Sequence, residues 1–278
     1  MLLQFVRYSN LLLWKLKLNK FFPFQETLTD IEKYFEWRKK DFEKDYPLIT
    51  KCGIDLKDLE ILDFGCGLGT KLEVLENFSP KRIVGCDINK VDLDYAKRRI
   101  DGKFLNIELK LNTETKLPFD DESFDLILSF DVFEHISDIE SMFKELFRVL
   151  KPRGRIFFKF QPYEAAYAHH AMRILLIPWV HLFFSFQKLK ELTNFVNLDI
   201  LNITGENRYP AQPYINYKRV PLILKQLKSA GFNISTFEIV PLQGNTIPFA
   251  KQIAKIFNLP FFNLYLSSIV YGQGIKRQ

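Results

Sequence analysis

The chain has 278 residues, 47% of them hydrophobic, with a formal net charge of +6. This composition is that of a globular chain and excludes a low-complexity or disordered one, and the length allows one large α/β domain with an insertion or two small domains. Lys and Arg alternate with Asp and Glu rather than forming blocks, so no nucleic-acid partner is expected; the excess reads as a solvated lysine surface, or as suited to an anionic membrane surface or a phosphorylated substrate.

Met1 to Phe24 mixes apolar residues with Lys15, Lys17 and Lys20 and lacks an uncharged core followed by a small-residue cleavage site, so it does not read as a signal peptide. Residues 26–50 read as a helix: Thr29-Asp30-Ile31-Glu32 is a start signal, and Ile31, Tyr34, Phe35 and Phe42 recur at helical spacing. A strand–helix alternation follows. It runs through strand Leu59–Phe64, helix Leu68–Asn77, strand Arg82–Cys86, helix Val91–Ile100 and strand Phe104–Leu111. Strand Phe124–Phe130, helix Ile136–Leu150, the turn Lys151-Pro152-Arg153-Gly154 and strand Arg155–Phe160 complete it. Such alternation implies a parallel sheet covered on both faces.

After Phe160 the rhythm breaks. Residues 161–214 carry aromatics, three histidines and Pro178, Pro210 and Pro213, which reads as an insertion or cap. Its most apolar stretch, Ile174 to Phe186, is about 13 residues long and is interrupted by Pro178 and His181, too short to cross a bilayer. A helix over Tyr217–Ala230, a strand over Asn233–Val240, a helix near Phe249–Phe257 and a strand over Leu264–Gly272 would close the sheet with an antiparallel edge strand. Cys52, Cys66 and Cys86 are too few for a disulfide framework and show no metal spacing with a histidine, so a reduced, cytoplasmic protein without a metal site is expected.

Gly65, Gly67 and Gly69 alternate directly after a hydrophobic strand and before a helix. Glycine there allows a sharp turn and close approach to a ligand, beside the free N–H groups of a helix start. Asp87 ends the second strand and can accept hydrogen bonds from both hydroxyls of a ribose. These features fit a nicotinamide dinucleotide as well as S-adenosylmethionine.

Three segments separate the two. Leu62-Asp63-Phe64-Gly65-Cys66-Gly67-Leu68-Gly69-Thr70, Leu117-Pro118-Phe119-Asp120-Asp121-Glu122-Ser123-Phe124-Asp125 and Arg148-Val149-Leu150-Lys151-Pro152-Arg153-Gly154-Arg155 occur in this order. Together they resemble the class I S-adenosylmethionine-dependent methyltransferases, particularly those of ubiquinone and menaquinone biosynthesis. The resemblance implies an α/β, Rossmann-like, doubly wound and mostly parallel sheet. It implies a helical arm over 1–57, a cofactor-binding core over 58–160, a cap over 161–214 and a C-terminal completion of the sheet over 215–278. It also implies roles: Asp63 for the methionine ammonium, Gly65, Cys66, Gly67 and Gly69 as the loop around the methionine portion, Asp87 for the ribose and Ile88 against the adenine. Asn112 and Thr113 stand where the family carries an acid for the adenine amine, and Phe130 is expected beside the sulfonium.

The cap is expected to cover an acceptor pocket, and the acceptor to be a small molecule: a sugar, a lipid-linked intermediate or a quinone-like ring. All four histidines follow the fourth strand, near the strand ends where ligands of open α/β sheets bind. His135, His169 and His170 are therefore the candidates for a catalytic base, with His181 behind them. Arg38, with Tyr34 and Trp37, lies on the helix before the glycine loop, where it either reaches the cofactor carboxylate or packs with its charge in solvent. The apolar segments 1–24 and 173–186 suit either the protein's own core or peripheral contact with an anionic bilayer. The competing readings are a nucleotide-cofactor oxidoreductase and a catalytically silent binding protein of the same fold.

Overall fold

In the computed structural model, which describes residues 4, 8, 9, 31–165, 179–195, 218–241, 264, 265 and 267–277, the strands form a seven-stranded sheet. We number them β1 (Glu60–Phe64), β2 (Arg82–Asp87), β3 (Ile107–Leu111), β4 (Phe124–Phe130), β5 (Leu150–Phe160), β6 (Phe232–Pro241) and β7 (Ser267–Lys276). Their spatial order is β3-β2-β1-β4-β5-β7-β6. The first five pair in parallel. β7 runs antiparallel to β5, with Phe160 opposite Val270, and β6 lies outside it. The expected mostly parallel sheet with an antiparallel end is therefore present.

Helices α1 (Ile31–Lys51), α2 (Leu72–Leu75), α3 (Lys90–Ile100), α4 (Ile139–Val149), α5 (Phe186–Phe195) and α6 (Val220–Ser229) complete the described elements. β1, β2 and β4 are almost wholly buried, the pattern of strands covered on both faces. β3, at the edge, is mostly open to solvent. α3 begins where the Asn89 side chain accepts from the Val91 and Asp92 amides, and Lys97, Arg98 and Arg99 close its last turn. α4 begins where Asp138 accepts from the Ser141 amide, and it buries Ile139, Met142, Phe143, Leu146 and Val149 along one stripe.

The phenylalanines explain much of the core. Phe133 sits 4.9 Å from Phe143, 5.5 Å from Phe158 and 5.8 Å from Phe160. Around the Phe130 ring, Phe42 of α1 meets it edge-on at 5.2 Å and Phe157 lies tilted at 5.4 Å. Each fully buried ring contributes about 1.5–3 kcal/mol of transfer free energy.

β3 begins at Ile107 rather than Phe104, and β7 runs over Ser267–Lys276 rather than Leu264–Gly272; three further expectations need correction. The helix expected over 68–77 shrinks to α2 and a 3-10 turn, Glu76–Phe78. Gly65, Gly67 and Gly69 all take positive φ (75°, 51° and 75°), so a helix cannot start among them. α4 starts three residues later than expected because Phe133–His135 forms a separate 3-10 turn and Asp138 supplies the cap. The segment Lys151–Gly154, expected as a turn before the strand, lies inside β5 as a bulge: Phe124 pairs with Leu150 and Leu126 with Arg155. Lys151 fastens the bulge by donating to Glu60 at 2.5 Å and Asp125 at 2.9 Å.

The chain divides into two compact units, Phe35–Phe160 with 216–238 and 270–278, and 1–34 with 161–215 and 239–269. Most of α1 belongs to the first unit, together with the sheet. The start signal Thr29-Asp30, His169, His170 and the helix expected near Phe249–Phe257 lie outside the described residues.

Candidate cofactor site

The C-terminal ends of β1, β2 and β3 carry the glycine loop, Asp87 and Asn112 side by side. Asp87 is the centre of this rim. One carboxylate oxygen accepts from the Gly67 amide at 2.8 Å and the other from the Asn89 amide at 2.9 Å. The remaining lone pairs are enough for a diol, because a carboxylate has about four acceptor sites.

The loop's own amides are already committed. Gly65 and Cys66 both donate to the Cys86 carbonyl, at 2.9 and 3.0 Å, and Gly69 donates to the Cys66 carbonyl at 3.0 Å. With α2 only one turn long, the expected helix-start amides are not what the loop offers. It offers room. A Cβ at Gly67 would meet nothing within 4 Å, whereas at Gly65 it would fall 2.3 Å from Val132 and at Gly69 2.9 Å from Ala96. Gly67 thus faces open space, and its two neighbours are glycines for packing.

Two polar side chains on this rim hold acceptors that no donor reaches among the described residues. Asp63 is fully buried on β1, neither of its oxygens accepts a hydrogen bond, and Lys71 Nζ stands 3.7 Å away. Burial pushes its carboxyl above the usual carboxylate range, offset in part by Lys71. Asn112, 7% exposed, donates its amide nitrogen to the Thr113 carbonyl at 2.8 Å and leaves Oδ1 without a donor. Buried acceptors are normally satisfied, so both are able to take a donor from a ligand. Ile88 is 58% exposed and Leu111, which ends β3, is 51% exposed, an apolar pair flanking Asn112 that the sequence reading only half identified.

The other expected residues are distributed differently. The Thr113 hydroxyl is tied into a turn with Lys116. The Cys66 thiol is buried and turned toward the Gly67 carbonyl, and burial pushes it well above its ordinary range, so it offers no nucleophile. Phe130 is 3% exposed and serves the packing between α1 and the sheet. His135 closes the 3-10 turn after β4, with Nε2 3.9 Å from the mostly buried carboxylate of Glu134. His181, in the other unit, is buried, meets the Tyr163 carbonyl through Nε2 at 2.7 Å and is kept neutral by burial, as a packing residue would be.

A second cluster escaped the sequence reading. Lys159 of β5 is buried and pairs with Asp45 of α1 at 2.6 Å and with Asp131 at 3.7 Å. Asp131, directly after β4, holds a left-handed backbone (φ 58°) and meets Arg38 at 3.5 Å. Non-glycine residues in that region carry strain and concentrate at functional sites. Arg38, Asp45, Lys71, Phe130 and Asp131 line a cavity of about 10 Å³, room for roughly one water. The signals available were a lysine within the apolar run of β5 and another, two residues after the glycine loop.

Residues 62–158 match the family model described as a methyltransferase domain. The chain is 30% identical over 156 residues to the ubiquinone biosynthesis O-methyltransferase of Bartonella tribocorum, an alignment covering 54% of this chain and 62% of that protein. It is 35% identical over 124 residues to the demethylmenaquinone methyltransferase of Lactobacillus johnsonii, covering 43% and 48%. The chain therefore spans less than two thirds of either relative. Among solved structures, an S-adenosylmethionine dependent methyltransferase from Mesorhizobium loti superimposes with a TM-score of 0.55 at 15% identity, covering 84% of this chain and 97% of that one. At that identity the likeness is one of fold.

Proposed function

We propose that the chain, whose residues 62–158 match a methyltransferase-domain model, is a class I S-adenosylmethionine-dependent methyltransferase of a small-molecule acceptor, an oxygen on a quinone-like ring or a lipid-linked intermediate. The observation that carries the cofactor side is the pair of buried acceptors without donors, Asp63 and Asn112 Oδ1, on either side of Asp87. The names of the two quinone-pathway relatives support a quinone-like ring as acceptor, and the first of them an oxygen on it. An oxidoreductase finds no such support.

When bound, S-adenosylmethionine supplies a methyl group already activated on a cationic sulfur. The chain's residues have to bind, align and exclude water, and alignment carries much of the rate. In this reading Asp63 accepts from the ligand ammonium, Asp87 from the ribose hydroxyls and Asn112 Oδ1 from the adenine amine, with Ile88 and Leu111 against the purine faces. His135 takes the proton from the acceptor hydroxyl, and the Glu134 carboxylate steadies the imidazolium that forms. Labelled S-adenosylmethionine, incubated with the protein and a panel of catechols and quinols, tests the proposal. A labelled methyl ether should form on a ring hydroxyl, and a panel that stays unlabelled while a sugar fraction takes the label would redirect the acceptor class.

We also infer peripheral contact with an anionic membrane surface. Among the described residues no helix is long and apolar enough to cross a membrane. Leu182 and Phe183 are 39% and 71% exposed on the turn before α5, which carries Lys188 and Lys190, and apolar tips beside lysines suit an anionic bilayer. Flotation with anionic liposomes at low salt should carry the protein upward, less so for Phe183→Ser. Protein left in the soluble fraction rules out the membrane contact.

A further inference from the structure

Lys71 lies two residues after Gly69 of the glycine loop and is 4% exposed. Its ammonium lies 5.7 Å from the centroid of the Phe130 ring and 3.7 Å from Asp63. A charge-assisted hydrogen bond spans about 2.7–2.9 Å, so the two groups pair as ions without that bond. Asp63 correspondingly accepts no hydrogen bond at either oxygen. A buried acid costs stability unless it is paired and hydrogen-bonded. This one is paired only loosely, by a cation on a long flexible stem.

We propose that Lys71 is a specificity residue for the carboxylate of the amino-acid tail of the cofactor, and that in the ligand-free site it stands in for the ligand ammonium at Asp63. The proposal rests on the cofactor reading above. An incoming zwitterion brings one ammonium and one carboxylate on the same carbon. Its ammonium takes the donor-free oxygens of Asp63, and Lys71, released, swings to the adjacent carboxylate. The four charges then alternate in sign and the pocket gains no net charge on binding. The cavity beside Lys71 and Phe130 holds about 10 Å³, room for roughly one water. Arg38 is the rival cation, but it is engaged with Asp131 at 3.5 Å.

Calorimetry with two ligands tests this. One is S-adenosylhomocysteine; the other is its decarboxylated analogue, which keeps the ammonium and the adenosine. Lys71→Gln should weaken S-adenosylhomocysteine by roughly 10- to 100-fold, the worth of a charged hydrogen bond, while the decarboxylated analogue, which no longer has to displace the lysine, binds as tightly as to wild type or more tightly. Lys71→Arg should keep the wild-type preference for the carboxylate. If Lys71→Gln does not fold by circular dichroism, Lys71→Met, close in volume, gives the same comparison. Equal losses for both ligands, or no loss for either, overturn the proposal, as does a carboxylate preference lost in Arg38→Gln and kept in Lys71→Gln. Wild-type protein that binds neither ligand would instead refute the cofactor reading, and the proposal with it.

Discussion

The rim of β1–β3 and the rim of β4–β5 are built in opposite ways. On the first, Gly65 to Gly69 and Asp87 lie within one short stretch of chain, and the Gly67 amide reaches Asp87 across 20 residues at 2.8 Å. On the second, Arg38 and Asp131 are separated by 93 positions and Asp45 and Lys159 by 114. The first is a local cradle with acceptors left open. The second is a closed network of ion pairs that exists only because α1 packs on the sheet. Their variants should therefore fail differently: loss of affinity on the first rim, loss of turnover or stability on the second.

The largest effect is expected at His135. His135→Ala should lower turnover by about 10²–10⁴-fold, the usual worth of a general base, and leave S-adenosylhomocysteine affinity unchanged. Full turnover in this variant would show that alignment alone suffices. Next comes Lys159→Met, which leaves Asp45 and Asp131 without their buried cation. Breaking a buried pair on one side costs about 3–5 kcal/mol, readable as a lowered urea midpoint. A midpoint equal to wild type would mean that the network does not hold α1 in place.

Asp87→Ala should cost about 1.5–3 kcal/mol in cofactor binding, as charged hydrogen bonds do, with little change in the urea midpoint. A collapse of stability without loss of affinity would reverse the comparison and make Asp87 a strut for the loop. The smallest effect belongs to Asn112. One neutral hydrogen bond is worth about 0.5–1.5 kcal/mol, so Asn112→Ala should weaken adenosine-containing ligands only a few-fold, and Asn112→Asp should strengthen them. Equal affinities across the three side chains would remove Asn112 from the adenine site.

The same contrast explains what could be read from the sequence. β1, β2 and β4 are buried apolar runs, and β4 appears at the expected residues, Phe124–Phe130. The glycine loop and Asp87 are neighbours in sequence, so their convergence needed only a strand–turn rule. The helix after the loop was overestimated because apolar residues at helical spacing run through Leu68 to Leu75, while the glycines' positive φ values hold the backbone out of a helix as far as Gly69. Lys151–Gly154 looked like a turn because Pro and Gly punctuate chains, yet Leu150 and Arg155 still pair with β4 on either side of the bulge. Asp131 and Lys159 could not be joined to Arg38 and Asp45 by any local pattern, because the pairing depends on which face of α1 meets the sheet. An ionisable side chain inside an apolar run, as at Lys159, is a flag of such a cluster.

Whether the rim of β1–β3 binds S-adenosylmethionine is decided by titrating S-adenosylhomocysteine into the protein by calorimetry. Saturable one-to-one binding, weakened by roughly 10-fold or more in a folded Asp87→Ala variant, is the expected result. Heat from a nicotinamide dinucleotide with none from S-adenosylhomocysteine, or wild-type affinity in the Asp87→Ala protein, would contradict it.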